Sequence, residues 1–232
     1  MTNPGVSVIT CTKRAECLNR LLANFNRQKY DNKELIIILN HDSLKLPIYL
    51  EAAKKYRNIR VYRKPERMSL GSCLNFGVQV SKFSYIAKFD DDDYYASGYL
   101  AEGMRAMIKK GADIVGKRAH FMQLDGHQTV LCRYGNMANR EVPIVQGATL
   151  LANRRVFRHI RFPDQNRSEC VRFCAAAAAK GYRIYATSPY NFLAQRRRNS
   201  RNHTWIISDK ELMSRNARQL TVPNIRTFVS RG

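Results

Sequence analysis

The chain has 232 residues, 44% of them apolar and 25% charged, a composition that suits a globular protein with one α/β domain or two small ones. No apolar run reaches the roughly 20 residues of a membrane-spanning helix. Met1-Thr2-Asn3-Pro4 leads straight into a strand-like run with none of the marks of a signal peptide, so a cytoplasmic protein is expected. The formal net charge is +22, of which residues 1–116 carry +7 and residues 117–232 carry +15. Such a surface attracts anions, whether nucleic acid, lipid headgroups or phosphorylated substrates.

In chain order, Val6-Ser7-Val8-Ile9-Thr10 is the first predicted strand, and residues 13–22 repeat apolar positions at helical spacing. Glu34-Leu35-Ile36-Ile37-Ile38-Leu39 is a continuous apolar strand, as in a parallel sheet covered on both faces. The polar turn Asn40-His41-Asp42-Ser43 follows, then a helix around residues 47–57 and a short strand over Ile59-Arg60-Val61-Tyr62. Residues 71–80 read as a helix, and residues 83–89 as a fourth strand that delivers Asp90. This alternation predicts a right-handed, mostly parallel sheet over the first ~115 residues.

The second half is less regular. Asp113-Ile114-Val115-Gly116 and Thr129-Val130-Leu131-Cys132 are candidate strands flanking a turn at Asp125-Gly126. Five successive alanines make residues 170–180 a helix, capped by Gly181, and Arg183-Ile184-Tyr185-Ala186 a strand. The tail after Gln195 is basic and polar and carries no firm element. With no repeat and no Pro/Gly-rich linker, one domain is expected, with a first half at 1–116, a second at 117–205 and a tail at 206–232. The six cysteines lack repeated CxxC spacing and read as reduced thiols rather than zinc ligands.

The four consecutive aspartates Asp90 to Asp93 stand out in so basic a chain. Four adjacent carboxylates repel one another, and a hard divalent cation with oxygen ligands relieves that repulsion. They follow a strand, and ligands of open α/β sheets bind outside the carboxyl ends of strands. On the run alone, metal binding and a solvated or helix-capping acidic loop are equally compatible.

The order of these segments resembles family 2 glycosyltransferases of the nucleotide-sugar-binding GT-A type. The likeness rests on residues 6–12 with the Arg-containing helix after them, the apolar strand ending at Asn40-His41-Asp42-Ser43, and Leu74-Asn75-Phe76-Gly77 followed by Phe83 through Asp93. It spans roughly residues 5–205. It implies an α/β fold with a mostly parallel central sheet flanked by helices and a Rossmann-like, nucleotide-binding first half. It also implies a metal-dependent, inverting transfer of sugar from a nucleoside-diphosphate sugar to a hydroxyl of a glycan or other acceptor, with Mn²⁺ or Mg²⁺ as cofactor. Cell-surface or spore-coat polysaccharide assembly is the pathway suggested by analogy.

Carried over residue by residue, the resemblance makes Asp92 the metal ligand and Asp90 the first acid of the DXD motif. Asp91 is counted on the nucleotide side, and Asp93 is support or a helix cap. Thr10 and Thr12 match the nucleoside-binding edge. Asn40 and His41 stand where relatives commonly carry two acids, and an amide and an imidazole still bond a base or ribose. Of Arg63, Lys64 and Arg67, Arg67 is the candidate for the diphosphate. Val145 to Leu150 resembles the segment beside the donor sugar, with Gly147 allowing close approach. Glu169, at the start of the alanine-rich helix, is the candidate base for the acceptor hydroxyl, with Asp164 in reserve. His203 is a candidate third metal ligand, beside Trp205 and the arginine stretch 196–201, which suits a diphosphate clamp or peripheral contact with an anionic membrane.

Two other classes compete. A nucleotidyltransferase would carry a Gly-rich phosphate loop after the first strand, and Thr10-Cys11-Thr12-Lys13-Arg14 has no glycine. A nucleic-acid-binding protein would account for the charge, yet the chain has no zinc finger, RNA-binding strand signature or helix-turn-helix, so no specific nucleic acid is expected.

Overall fold

The structure is a computed structural model that describes residues 3–124, 129–196, 207–214 and 216–231. Four parallel strands form its first half: β1 (Val6–Thr12), β2 (Lys33–Leu39), β3 (Ile59–Arg63) and β4 (Tyr85–Lys88). Between them run α1 (Leu18–Asn26), entered through a single 3₁₀ turn, α2 (Leu46–Ala53) and α3 (Leu70–Val80). Leu35 to Leu39 are each fully buried. A side chain so placed contributes about 1.5–3 kcal/mol relative to exposure, which is why β2 needs no polar face.

After the aspartates come β5 (Tyr94–Tyr95), α4 (Tyr99–Lys110), β6 (Ile114–Gly116), β7 (His120–Leu124), β8 (Thr129–Arg133), β9 (Arg140–Glu141) and β10 (Leu151–Asn153). The chain continues with α5 (Glu169–Ala179), β11 (Ile184–Ala186), β12 (Phe192–Arg196), α6 (Asp209–Ser214), β13 (Ala217–Leu220) and α7 (Ile225–Val229). Eight strands make one sheet in the order β3-β2-β1-β4-β10-β6-β11-β9, and five make a second in the order β13-β8-β7-β12-β5. The fold is therefore mixed α/β, with a large central sheet flanked by helices. Among the described residues, no helix is long and apolar enough to cross a membrane.

Three sequence expectations change. The hairpin partner of Thr129–Arg133 is His120–Leu124, while Ile114–Gly116 belongs to the other sheet; the turn at Asp125-Gly126 lies outside the described residues. Tyr94 opens a strand rather than a helix, because Tyr94 and Tyr95 pair with Leu193 and Phe192 of β12. The tail after Gln195 contains α6, β13 and α7, and its Val229 is fully buried. Gly181, at φ +78°, ends α5 as its sequence position suggests: its N–H and that of Tyr182 bond the carbonyls of Ala178 and Ala177.

Candidate functional site

A cleft of about 580 Å³ opens at the carboxyl ends of β1, β2 and β4. Cys11 and Thr12 at the end of β1, Lys13 and Arg14 after it, Asn40 after β2 and Asp90 to Asp93 after β4 form one side. Gln146, Asn166 and Arg167 line it from the second half, and Met122 and Ala194 to Arg196 from the five-stranded sheet. The volume suits a small-molecule ligand.

Each aspartate of the run has its own surroundings. Asp91 is buried, accepts a hydrogen bond from the Thr12 hydroxyl at 2.5 Å and is paired with the Arg14 guanidinium. Arg14 also reaches Asp92 at 2.9 Å. Burial pulls the Arg14 guanidinium down, while Asp91 and then Asp92 raise it above its usual value. Asp92 turns its carbonyl to Arg20, at 2.5 Å. Asp90 is the most open of the four: its side chain is 38% exposed and paired with Lys88. Its N–H donates to the Tyr95 hydroxyl, which donates in turn to the Ala148 carbonyl, both at 2.7 Å. Asp93 points inward and accepts the Gln195 N–H at 2.9 Å. Burial, then Asp92 and Asp90, push its carboxyl well above the usual carboxylate range. With Tyr94 in a strand, Asp93 holds two segments together instead of capping a helix.

Lys88 is buried beneath the run. Burial alone would lower its ammonium, but Asp90 first, then Cys170 and Glu169, raise it well above the usual lysine value. A single internal cation thus serves both Asp90 and the start of α5. Glu169 is buried and accepts a bond from the Cys170 thiol at 3.3 Å. Gly147 approaches the same helix end, where a Cβ would sit 3.0 Å from that of Cys170.

The other sequence candidates divide. Thr12 and Asn40 line the cleft, and the Asn40 amide donates to the Pro65 carbonyl at 2.8 Å. Thr10 is buried in β1. His41 lies in a surface loop, with Nε2 3.5 Å from Glu66 and Nδ1 2.7 Å from the Ser43 hydroxyl. Arg67 is exposed in the turn before α3. Asp164 accepts bonds from the Ser69 and Ser72 hydroxyls, Ser69 first, and these hold its carboxyl below its ordinary range. His203, Trp205 and the arginines at 197, 198 and 201 lie outside the described residues.

Among the described residues, no three His, Cys, Asp or Glu side chains converge on one point. That donor set still fits Mg²⁺ or Mn²⁺ of the kind held by one or two carboxylates and completed by water and substrate phosphates. Asp90 and Asp92 supply hard oxygen donors at the cleft wall.

Sequence reasoning passed over Arg14, Lys88, Met122 and Gln195. A lysine inside an apolar strand was the available signal for Lys88, since a buried charge requires a partner. The cleft residues on β7 and β12 carry no local signal; strand pairing alone brings them there.

The family model described as glycosyl transferase family 2 matches residues 7–176. The chain is 25% identical over 171 residues to an uncharacterized glycosyltransferase of Haemophilus influenzae, covering 71% of this chain and 68% of that protein. Its structure is similar to a mannosyltransferase of Pyrobaculum calidifontis in complex with GDP-Man and Mn²⁺, with a TM-score of 0.67 and 17% identity. That match covers 83% of this chain and 57% of the other. It is also similar to residues 1–349 of S. aureus TarS in complex with UDP-GlcNAc, with a TM-score of 0.66 and 16% identity over 83% of this chain and 59% of that one. The chain thus spans under two thirds of these solved structures, and the likeness to them is one of fold.

Proposed function

The chain belongs to glycosyl transferase family 2, and from that membership we propose that it moves a sugar from a nucleoside-diphosphate donor to an acceptor hydroxyl, with inversion and with Mn²⁺ or Mg²⁺ at Asp90 and Asp92. The observation that carries this reading is the cleft at the carboxyl ends of β1, β2 and β4, walled by the four aspartates and by Arg14. Similar solved structures hold nucleotide sugars, and one of them Mn²⁺. The cation, when bound, neutralises the diphosphate as negative charge develops on it.

The chain's own residues do the rest. Thr12 and Arg14 fix Asp91 and so stiffen the run, while Lys88 offsets charge at Asp90 from behind. Thr12 and Asn40 face the nucleoside side of the cleft. Arg167 lines it as well and supplies positive charge for the phosphates, while the buried Arg196 is paired with Asp209. Glu169, which opens α5 just after the cleft-lining Asn166 and Arg167, takes the proton of the acceptor hydroxyl. The acceptor oxygen then bonds to the anomeric carbon, and the bond from that carbon to the phosphate oxygen breaks with its electron pair. His203 is kept as a third metal ligand in this reading.

Thermal unfolding with Mn²⁺ and a panel of nucleoside diphosphates tests the assignment. One nucleotide should raise Tm in the presence of Mn²⁺, and Asp92→Asn should abolish that increment. An unchanged increment in Asp92→Asn rules out Asp92 as the ligand.

A further inference from the structure

A second hollow, of about 570 Å³, lies on the five-stranded sheet away from the cleft. Strand register places it. Leu193, Phe121, Cys132 and Arg218 stand opposite one another across β12, β7, β8 and β13, and the next row is Ala194, Met122, Leu131 and Gln219. Successive side chains alternate between faces of a sheet. Met122 and Ala194 line the cleft, whereas Phe121, Cys132 and Arg218 line the hollow. The two sites are back to back, one sheet apart.

The floor of the hollow is aromatic. Phe121, Tyr190 and Phe228 form a triangle with ring centroids 5.2–5.8 Å apart, packed edge to face or tilted. Phe121 is buried, but Tyr190 and Phe228 remain partly open. Tyr134 forms a wall, held at φ 51° by its N–H, which donates to the Asn216 carbonyl at 2.8 Å. That left-handed conformation is uncommon for a bulky residue. Exposed polar side chains, Asn136, Asn216 and Arg218, complete the lining.

The charge is one-sided. No acidic side chain is among the described lining residues. The Arg118 guanidinium lies 3.8 Å from the Tyr134 ring centroid, and that of Arg231 lies 5.8 Å from that of Phe228. An occupant must therefore offer a flat apolar face to the rings, hydroxyl or carbonyl groups to the amides, and negative charge to the guanidinium groups. A sugar ring bearing a carboxylate or phosphate offers all three. A nucleic-acid strand fits less well. It would call for rings standing as successive stacking platforms along a basic groove, whereas these rings pack against one another in one compact cluster.

We propose that this hollow is a second binding site, for an anionic saccharide unit of the acceptor glycan, which holds the acceptor chain on the sheet face opposite the transfer cleft. The acceptor role rests on the glycosyl-transfer reading, but the binding itself is measured without donor. Calorimetric titration uses an oligoglucuronate, a phosphodiester-linked polyol oligomer, a neutral malto-oligosaccharide and oligo(dT). At least one of the two anionic probes binds more tightly than both the neutral saccharide and oligo(dT), and which one does separates carboxylate from phosphate. Tyr134→Ala combined with Arg218→Ala should weaken it by about 10-fold or more, as expected for a stacked and ion-paired contact. Arg218→Ala alone, at an exposed position, should cost about 3-fold and stands as the test if the double variant does not fold.

Arg172→Ala with Lys180→Ala removes two exposed charges that do not line the hollow and should leave binding unchanged. Equal losses in the two sets, no preference for an anionic saccharide, or tighter oligo(dT) binding through Tyr134 and Arg218 each overturns the proposal. Failure here with Mn²⁺-dependent donor turnover intact leaves glycosyl transfer standing. Selective binding here without donor turnover removes the transfer reading instead.

Discussion

Arg14 and Lys88 divide the aspartate run between them, Arg14 taking Asp91 and Asp92 and Lys88 taking Asp90. Three of the four carboxylates thereby have a countercharge before any ligand arrives, and the fourth, Asp93, is buried with its carboxyl pushed well above the usual range. The two candidate bases differ in their surroundings. Asp164 accepts bonds from the Ser69 and Ser72 hydroxyls, which lower its proton affinity, whereas Glu169 opens α5 just after the cleft-lining Asn166 and Arg167. Glu169→Gln should therefore bind donor normally and lose about 10²-fold or more in kcat, the usual range for removal of a general base. Asp164→Asn should keep kcat within a few-fold. Single-turnover rates alongside donor affinity decide it, and the reverse ranking transfers the role to Asp164. The run, Thr12 and Asn40 were legible because each stands at or just past the end of a strand whose apolar pattern is visible in one short window. Arg14 was visible only as part of a basic helix approach, and its bond to Asp91 spans 77 positions, beyond any local pattern.

Between elements, the loop at 162–166 closes the amino end of α3. Leu70 N–H donates to the Asn166 side chain at 2.8 Å, Gly71 N–H to the Gln165 carbonyl at 3.1 Å and Ser72 N–H to the Ser69 hydroxyl at 3.1 Å. Two of these three helix donors, otherwise left unpaired, are thus satisfied by a segment about 95 residues away in sequence, and the third by the N-cap Ser69. Contact is backbone to backbone: a Cβ on Gly71 would lie 1.8 Å from the Pro163 carbonyl oxygen. Gly71→Ala should therefore cost about 1–3 kcal/mol through forced displacement of the loop, read as a lower denaturant midpoint with an unchanged slope. A midpoint equal to that of the unsubstituted protein contradicts the contact. The helices α1, α2, α3 and α5 were readable from spacing, a cap and the alanine run, whereas α4 (Tyr99–Lys110) was not anticipated. Short strands such as β5, β7 and β12 were not, since two to five residues of mixed polarity acquire strand character only by pairing with one another.

Across the whole molecule, the second sheet carries a buried imidazole. His120 Nδ1 lies 3.0 Å from the Arg118 carbonyl, Nε2 has no hydrogen-bond partner among the described residues, and burial lowers the ring's pKa to about 4. Between that value and the usual 6.5 the unfolded chain binds a proton that the folded chain refuses. Stability is therefore lost as pH falls through this window, by on the order of 3 kcal/mol. Urea midpoints at pH 7 and pH 4.5 should diverge more for the unsubstituted protein than for His120→Gln, and identical pH dependence would show that the ring does not contribute. Topology has a further effect, on the order in which the chain can fold. Leu151–Asn153 lies between Tyr85–Lys88 and Ile114–Gly116 in the large sheet, so a late segment separates two early ones. A nascent chain emerging from the ribosome holds β4 and β6 with open edges, each a template for wrong pairing, until residue 153 is outside the exit tunnel. The large sheet is thus completed only after its late strand β10 has been made, and a chaperone that shields those edges during synthesis would raise the yield of native protein more than one acting after release.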